Sequence, residues 1–173
     1  MTDTIRLFGL VTDSIVDGPG FRTSIFTQGC PHHCEGCHNP ESHSFEGGTV
    51  WTLDDVEKKF TDNPLLDGVT FSGGEPFEQA QACAELARRA HAKGLNVWCY
   101  SGYVYEQLCE KAKSDEGVRA LLAEADVLVD GRFVLAERSL ELEFKGSRNQ
   151  RVIDIVKTRE SGEIVPYKAP DWC

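Results

Sequence analysis

The alternation of apolar runs with helical segments most restricts the fold of this 173-residue chain. Runs at 68–71, 95–100 and 126–130 have the length and composition of buried strands. Between them, segment 77–92 places its apolar residues near helical spacing, and segment 105–123 is also helical in sequence. Strands that alternate with helices form a parallel sheet with right-handed crossovers. The sequence therefore predicts an α/β fold.

The flanking segments add further elements to this prediction. Residues 5–11 and 21–27 have strand patterns, and 17–20 is a turn by composition. Thr52 is placed to cap a helix, with Asp55 three residues later, and this helix should end near 63–64. Residues 151–156 predict a final strand with a hairpin. At this length we expect one domain, with a core over about 5–156 and a C-terminal tail over 157–173.

Three cysteines, Cys30, Cys34 and Cys37, lie within eight residues directly after the second strand. Three thiolates at this spacing suit three irons of a [4Fe-4S] cluster and leave the fourth iron without a protein ligand. Two alternatives remain open at this point. One is a zinc site of the three cysteines with a nearby histidine (His32, His33 or His38), and the other is a disulfide with a spare thiol.

The total of seven cysteines is odd, and the first residues show no export signal. We therefore expect a reduced, cytoplasmic protein. Cys83, Cys99 and Cys109 fall on predicted helices or strands, where free cysteine behaves as a small hydrophobe. Cys173 ends the chain, and we expect it to be a mobile thiol.

A second motif, Ser72-Gly73-Gly74-Glu75-Pro76, follows one predicted strand and precedes a helix. Glycines allow the backbone to approach a ligand, and a carboxylate accepts hydrogen bonds from an ammonium group. The alternative is an ordinary turn whose glutamate is favoured at a helix start. Ser101 and Asp130 also end predicted strands, each directly before a glycine. Ligands bind at the carboxyl ends of parallel strands, so we expect all four loops to meet on one face.

The cysteine triplet followed by the Gly-Gly-Glu segment resembles the radical S-adenosylmethionine (radical SAM) enzymes. The resemblance implies a partial TIM-like barrel, with Cys30, Cys34 and Cys37 as ligands of a [4Fe-4S] cluster whose open iron binds S-adenosylmethionine. It implies cofactor contacts from the Gly-Gly-Glu segment, the residues around the third cysteine and three further positions: Ser72, Gly73, Gly74, Glu75, Gly36, Cys37, His38, Asp17, Ser101 and Asp130. For Asp17 a simple turn role is the alternative, and for Asp130 it is a strand-end cap.

Narrower features resemble the glycyl-radical-enzyme activases: residues 16–22, 37–40, 126–133 and 144–151. Within these, the Gly-Ser-x-Asn-Gln-Arg run is similar to activating proteins of the anaerobic ribonucleoside-triphosphate reductase. The resemblance implies that a 5'-deoxyadenosyl radical abstracts hydrogen from a glycine of that reductase, with reduced flavodoxin or a similar protein as electron donor. In that run Arg148, Asn149 and Arg151 either dock the partner or form a loop held by its own hydrogen bonds.

Other functions stay open as alternatives. The chain could activate another glycyl radical enzyme such as pyruvate formate-lyase, act on a small molecule, or be a zinc-binding interaction module without catalysis. The formal net charge of −10 argues against nucleic-acid binding, which needs a basic face. No run of 18 apolar residues predicts a membrane span.

Overall fold

The computed structural model describes residues 2–169, which form one seven-stranded sheet in the order β3-β1-β2-β4-β5-β6-β7. The strands are β1 Thr4–Ser14, β2 Arg22–Thr27, β3 Thr49–Thr52, β4 Gly68–Gly73, β5 Asn96–Tyr100, β6 Val127–Asp130 and β7 Arg151–Asp154. The α-helices are α1 Leu53–Thr61, α2 Ala80–Ala92, α3 Tyr105–Ala112, α4 Glu116–Glu124 and α5 Ile155–Ser161. Short 3₁₀ helices span Pro40–Ser42, Pro76–Gln79 and Leu135–Glu137.

The centre of the sheet is parallel and its edges are antiparallel. Strands β2, β4, β5 and β6 pair in parallel, whereas β1 pairs antiparallel with both β2 and β3, and β7 pairs antiparallel with β6. The predicted α/β class and the parallel centre are therefore confirmed. The antiparallel edges arise where the connections are loops and contain no complete crossover helix.

The two faces of the sheet are covered differently, as β5 shows. Val97 and Cys99 belong to the larger hydrophobic cluster that contains the buried faces of the helices. Trp98 alternates with them and belongs to a smaller cluster, against which Tyr100 and Phe144 pack. Because side chains alternate across a strand, helices cover one face and irregular segments cover the other. This second face is the one that leaves space for a cavity.

Several local predictions hold, and others need correction. The hydroxyl of Thr52 accepts a hydrogen bond from the backbone of Asp55 at 3.1 Å, as predicted for the N-cap of α1. The predicted helix over 105–123 is wrong in one respect, because it is two helices. Asp115 caps the second helix by accepting from Val118 N at 3.1 Å, so a separate helix, α4, begins at Glu116. The predicted helix over 77–92 begins with a 3₁₀ turn before α2.

The described part of the C-terminal tail packs on the domain. Helix α5 follows β7 directly, where the sequence predicted that the strand continues to residue 156. Beyond it, the backbone N–H of Tyr167 donates to Val152 O at 2.9 Å, and its ring contacts Trp98 edge-on at 5.1 Å. Cys173 lies outside the described residues. Among residues 2–169, no helix is both long enough and apolar enough to cross a membrane.

Candidate active site

A cavity of about 700 Å³ lies at the carboxyl end of the parallel strands. All four loops that were predicted to meet there contribute to its wall. They supply the three cysteines Cys30, Cys34 and Cys37, then Ser72, Gly73 and Gly74, then Ser101 and Gly102, and finally Gly131. The order of strands in the sheet places these loops side by side, although they are far apart in sequence.

The cysteine loop is closed at its base by backbone hydrogen bonds. Gly29 N donates to Ser42 O at 2.7 Å, and Cys30 N donates to His43 O at 3.0 Å. The short 3₁₀ helix at Pro40–Ser42 therefore returns the chain to the end of β2. The loop between these bonds contains all three cysteines and keeps their thiols on the cavity side.

The thiols of this loop are free to act as metal ligands. All three cysteines are free, and burial raises the pKa of the Cys30 thiol to about 11, although nearby backbone N–H groups of His32 and His33 oppose the shift. Burial also raises the pKa of Cys34, and a nearby backbone N–H of Phe133 opposes that shift. Because raised pKa values keep these thiols protonated, binding of iron would release protons here.

The residues present fit a [4Fe-4S] group. Three thiols line one cavity, and the imidazole Nε2 of His43 beside them is buried without a hydrogen-bond partner among the described residues. Within residues 2–169, no three His, Cys, Asp or Glu side chains converge on a site for a single ion. A cubane cluster does not require such convergence, because each of its cysteines binds a different iron.

The Gly-Gly-Glu turn packs directly against the end of β2. Gly74 N donates to Thr27 O at 2.7 Å, and Glu75 N donates to Gly29 O at 2.8 Å. Gly73 has φ +92, and a Cβ atom there would lie 2.6 Å from Thr27 N. Only glycine fits this position without displacing the backbone. The turn thereby fixes the start of the cysteine loop.

The Glu75 carboxylate is buried behind the cavity wall and has several donors of its own. Its Oε1 accepts from Phe77 N at 3.1 Å, which is the helix-start role that the sequence left as an alternative. Ser101 Oγ donates to both oxygens, at 2.9 and 3.1 Å, and Gly102 N donates to Oε2 at 2.8 Å. Glu75 is not among the residues that line the cavity. Its predicted contact with a ligand ammonium stays a prediction.

The two predicted aspartates occupy different positions. Asp17 lines the cavity, and its Oδ2 accepts from Ser14 Oγ at 2.5 Å and from Ser24 Oγ at 2.8 Å. Asp130 is 1% exposed and is absent from the cavity wall. Its carboxylate accepts from Arg151 Nε at 3.0 Å and from Tyr105 N at 2.8 Å, which ties β7 to the start of α3.

The residues around the third cysteine lie near segment 131–150. His38 lines the cavity, and its ring is tilted against Phe133 at a centroid distance of 5.4 Å. Gly36 has φ +75, and a Cβ atom there would contact Leu135. Gly36 itself is not in the cavity wall. This segment therefore covers the outer side of the cysteine loop.

The sequence did not single out Tyr100 or Gln150, which also line the cavity. Burial raises the pKa of Tyr100, and the charge of Asp17 adds to the shift. Gln150 accepts from Gly146 N at 2.8 Å and donates to Gly131 O at 2.9 Å. These bonds favour the second alternative for the Gly-Ser-x-Asn-Gln-Arg run, a loop held by its own hydrogen bonds. Side chains alternate between the two faces of β5, so the sequence could have placed Tyr100 on the face opposite Val97 and Cys99, where the cavity lies.

Comparison with known proteins agrees with this site. A family described as "4Fe-4S single cluster domain" matches residues 16–153, which contain all three cavity cysteines and the Gly-Gly-Glu turn. The fold and the site therefore define a protein of the single-cluster iron–sulfur class.

Curated relatives narrow the class. The chain is similar to the anaerobic ribonucleoside-triphosphate reductase-activating protein of Vibrio cholerae, with 34% identity over 79% of this chain and 89% of the relative. The protein of that name from Haemophilus influenzae is 32% identical over the same shares, and that from Escherichia coli K12 is 32% identical over 80% and 91%. The chain belongs to this family of activating proteins.

Proposed function

We propose that this chain activates an anaerobic ribonucleoside-triphosphate reductase as a radical SAM enzyme, by forming a glycyl radical on it. Membership of the activating-protein family supports the activity and the partner. The single observation that carries the chemistry is the cavity lined by three free thiols at the carboxyl ends of the strands. When bound, the reduced cluster would supply one electron that breaks the bond between the sulfonium sulfur and the 5' carbon of S-adenosylmethionine and releases methionine; the 5'-deoxyadenosyl radical would then become 5'-deoxyadenosine by taking a hydrogen atom from a glycine of the reductase.

The residues of the chain bind and orient the groups that react. In this proposal Cys30, Cys34 and Cys37 hold three irons, so the fourth stays open to the amine and carboxylate of S-adenosylmethionine. The cofactor would then lie along Ser72, Gly73 and Gly74, where the two glycines have no side chains and let the backbone approach it. The exposed His38 would face its adenine side.

Asp17 and Ser101 are the polar side chains of the cavity that we assign to the ammonium end. Asp17 lines the wall, and among residues 2–169 two hydroxyl groups donate to its carboxylate, which offers about four lone-pair sites and so has room for a further donor. Glu75 and Asp130, both buried, act in this proposal from behind the wall, where they fix the turns that carry the cofactor contacts.

The architecture supports the rest of the proposal. Four parallel strands with antiparallel edges are compatible with a partial barrel, and residues 1–173 would form one domain. The open side of the cavity leaves access for a protein loop that carries the target glycine. An external protein such as reduced flavodoxin would supply the electron.

The test is anaerobic electron paramagnetic resonance. The protein is reconstituted with iron and sulfide, then mixed with S-adenosylmethionine, dithionite and the reductase. We expect a glycyl-radical doublet that is lost in Cys34→Ala. Cys109→Ala is the matched control, because Cys109 lies on α3 outside the cavity wall, and it should retain the doublet.

Other outcomes are equally informative. Formation of 5'-deoxyadenosine without a doublet would retain the radical chemistry but reject this reductase as the substrate. A protein that retains zinc and does not assemble a cluster would refute the proposal and favour an interaction module.

A further inference from the structure

His32 lies inside the cysteine loop, yet its imidazole points away from solvent. Only 3% of its side chain is exposed, and Nε2 lies 2.7 Å from Oε2 of Glu75, whose side chain is fully buried. We assign the ring proton to Nε2, so that His32 is the donor of this contact. The contact joins two loops that are 43 residues apart in sequence.

The Glu75 carboxylate is anchored independently of His32. Phe77 N and Ser101 Oγ donate to Oε1 at 3.1 and 2.9 Å, and Gly102 N donates to Oε2 at 2.8 Å. A carboxylate offers about four lone-pair sites, and these donors together with His32 occupy that number. Glu75 is therefore a fixed acceptor, held by the turn after β4 and the turn after β5.

The space around the imidazole is also restricted. Its ring packs edge-on against Tyr103 at a centroid distance of 4.5 Å. Gly102 lies so close that a Cβ atom there would overlap the ring of His32. Tyr103 and Gly102 therefore confine the ring on two sides, in a position where it also makes its hydrogen bond to Glu75.

The fixed ring also determines where its own backbone points. The backbone N–H groups of His32 and His33 lie near the sulfur of Cys30, where they oppose the rise of its pKa that burial causes. Hydrogen bonds to cluster sulfurs are among the factors that set the potential of an iron–sulfur centre, because they stabilise the more negative, reduced form. A side chain that fixes the backbone of residue 32 therefore acts on the ligand two residues before it.

We propose that His32 is a positioning residue: its hydrogen bond to Glu75 fixes the start of the cysteine loop, keeps the N–H groups of residues 32 and 33 beside the Cys30 sulfur and thereby raises the reduction potential of the cluster. This inference rests on the proposed function only in taking Cys30 as a cluster ligand. It assigns Glu75 to the support of the cysteine loop.

The first experiment needs no cluster, cofactor or reductase. Amide hydrogen exchange is measured in the metal-free, reduced protein for His32→Asn, which is too short to reach Glu75, and for the control His33→Asn. Residue 33 is exposed with φ +49, a conformation that asparagine tolerates. We expect the amides of residues 32 and 33 to exchange at least about tenfold faster in His32→Asn and to be unchanged in the control.

The second experiment is a potentiometric titration of the reconstituted cluster, followed by electron paramagnetic resonance. We expect a lower midpoint potential in His32→Asn, no shift in His33→Asn, and recovery in His32→Gln, whose amide nitrogen reaches close to the position of Nε2. A role in stability alone would lower the midpoint of thermal unfolding without moving the potential. An unchanged potential in a folded His32→Asn protein overturns the inference.

The wild-type protein provides a further measurement in case His32→Asn does not fold. Nitrogen-15 NMR of the metal-free protein identifies which ring nitrogen of His32 carries the proton. A slowly exchanging proton on Nε2 supports the inference, and a ring that carries its proton on Nδ1 alone overturns it. Altered exchange together with the absence of a glycyl radical would reject the proposed function and leave the positioning contact established.

Discussion

Replacement of Arg22 by methionine removes a cation that the fold buries completely. Its guanidinium donates to Thr70 Oγ1 at 2.7 Å, Val69 O at 2.9 Å, Asn96 Oδ1 at 2.6 Å and Pro19 O at 3.0 Å. These acceptors are all neutral. Burial lowers the pKa of Arg22 to about 10, so the side chain stays charged at neutral pH. Its charge is therefore balanced by dipoles, and its loss leaves those dipoles without a donor.

The expected loss of stability depends on which of these acceptors water can reach once Arg22 is replaced. The bonds to Thr70 and Val69 are buried, whereas those to Pro19 and Asn96 are partly accessible. Each buried acceptor that loses its partner costs about 1–3 kcal/mol. Release of the cost of burying a cation offsets part of this, and methionine retains the aliphatic packing. We expect Arg22→Met to lower the free energy of unfolding by about 2–4 kcal/mol.

Urea unfolding of the metal-free, reduced protein measures this loss. Arg119→Met is the matched control, because that side chain is 56% exposed and should change stability by less than about 0.5 kcal/mol. Adding Thr70→Val to Arg22→Met removes one of the two buried oxygen atoms that accept hydrogen bonds from Arg22 in the wild-type protein. In a double-mutant cycle, the pair should be about 1 kcal/mol more stable than the sum of the single variants. A loss below about 1 kcal/mol in Arg22→Met, or no coupling with Thr70, would refute the reasoning.

Two further predictions concern buried and half-buried charges. Two effects act on the pKa of His91. Burial by itself would lower it, but hydrogen bonds to Asp126 and Glu124 outweigh burial, and the net pKa lies above the ordinary 6.5. The stability that His91 adds to the folded state is therefore fully present below pH 6.5, and it is lost as the pH rises through the pKa of His91 in the folded protein. In urea unfolding, His91→Gln should cost about 0.5–1 kcal/mol near about pH 5.5 and less near about pH 8.5; equal losses would contradict this. Asp130→Asn, which weakens the contact with Arg151, should cost about 1–3 kcal/mol in the same assay. By calorimetry it should leave the affinity for S-adenosylmethionine within about twofold, and a loss of about tenfold would instead make Asp130 a direct contact.

Secondary structure was predictable where one local signal dominated. The central strands were predictable because a strand that is buried on both faces is a short apolar run, which can be identified from its composition alone. Strand β3 was missed, since three of its four residues are exposed at the edge of the sheet. Helix α5 was taken for a strand continuation because Ile155 and Val156 are β-branched. The side chain of Asp154 overrides this preference by capping the helix through Lys157 N.

Local spacing and chain topology were enough to predict the loop that carries the thiols of this protein. The spacing of Cys30, Cys34 and Cys37 specifies a three-thiol loop, and the strand order implies that four loops lie at one edge of a sheet. These conclusions depend on residues that are close in sequence or on rules of chain topology.

Which polar groups line the cavity and which support it from behind depended on contacts between distant parts of the folded chain. Glu75 and Asp17 are both carboxylates beside glycines, and no local pattern separates them. Glu75 is withdrawn from the cavity because Ser101, 26 residues away, donates to it and the ring of His32, 43 residues away, lies within hydrogen-bond distance of it. Asp17 remains at the wall, where its carboxylate accepts from the hydroxyl groups of Ser14 and Ser24. A buried carboxylate binds the donors that packing brings nearest, and the assembled sheet sets those distances.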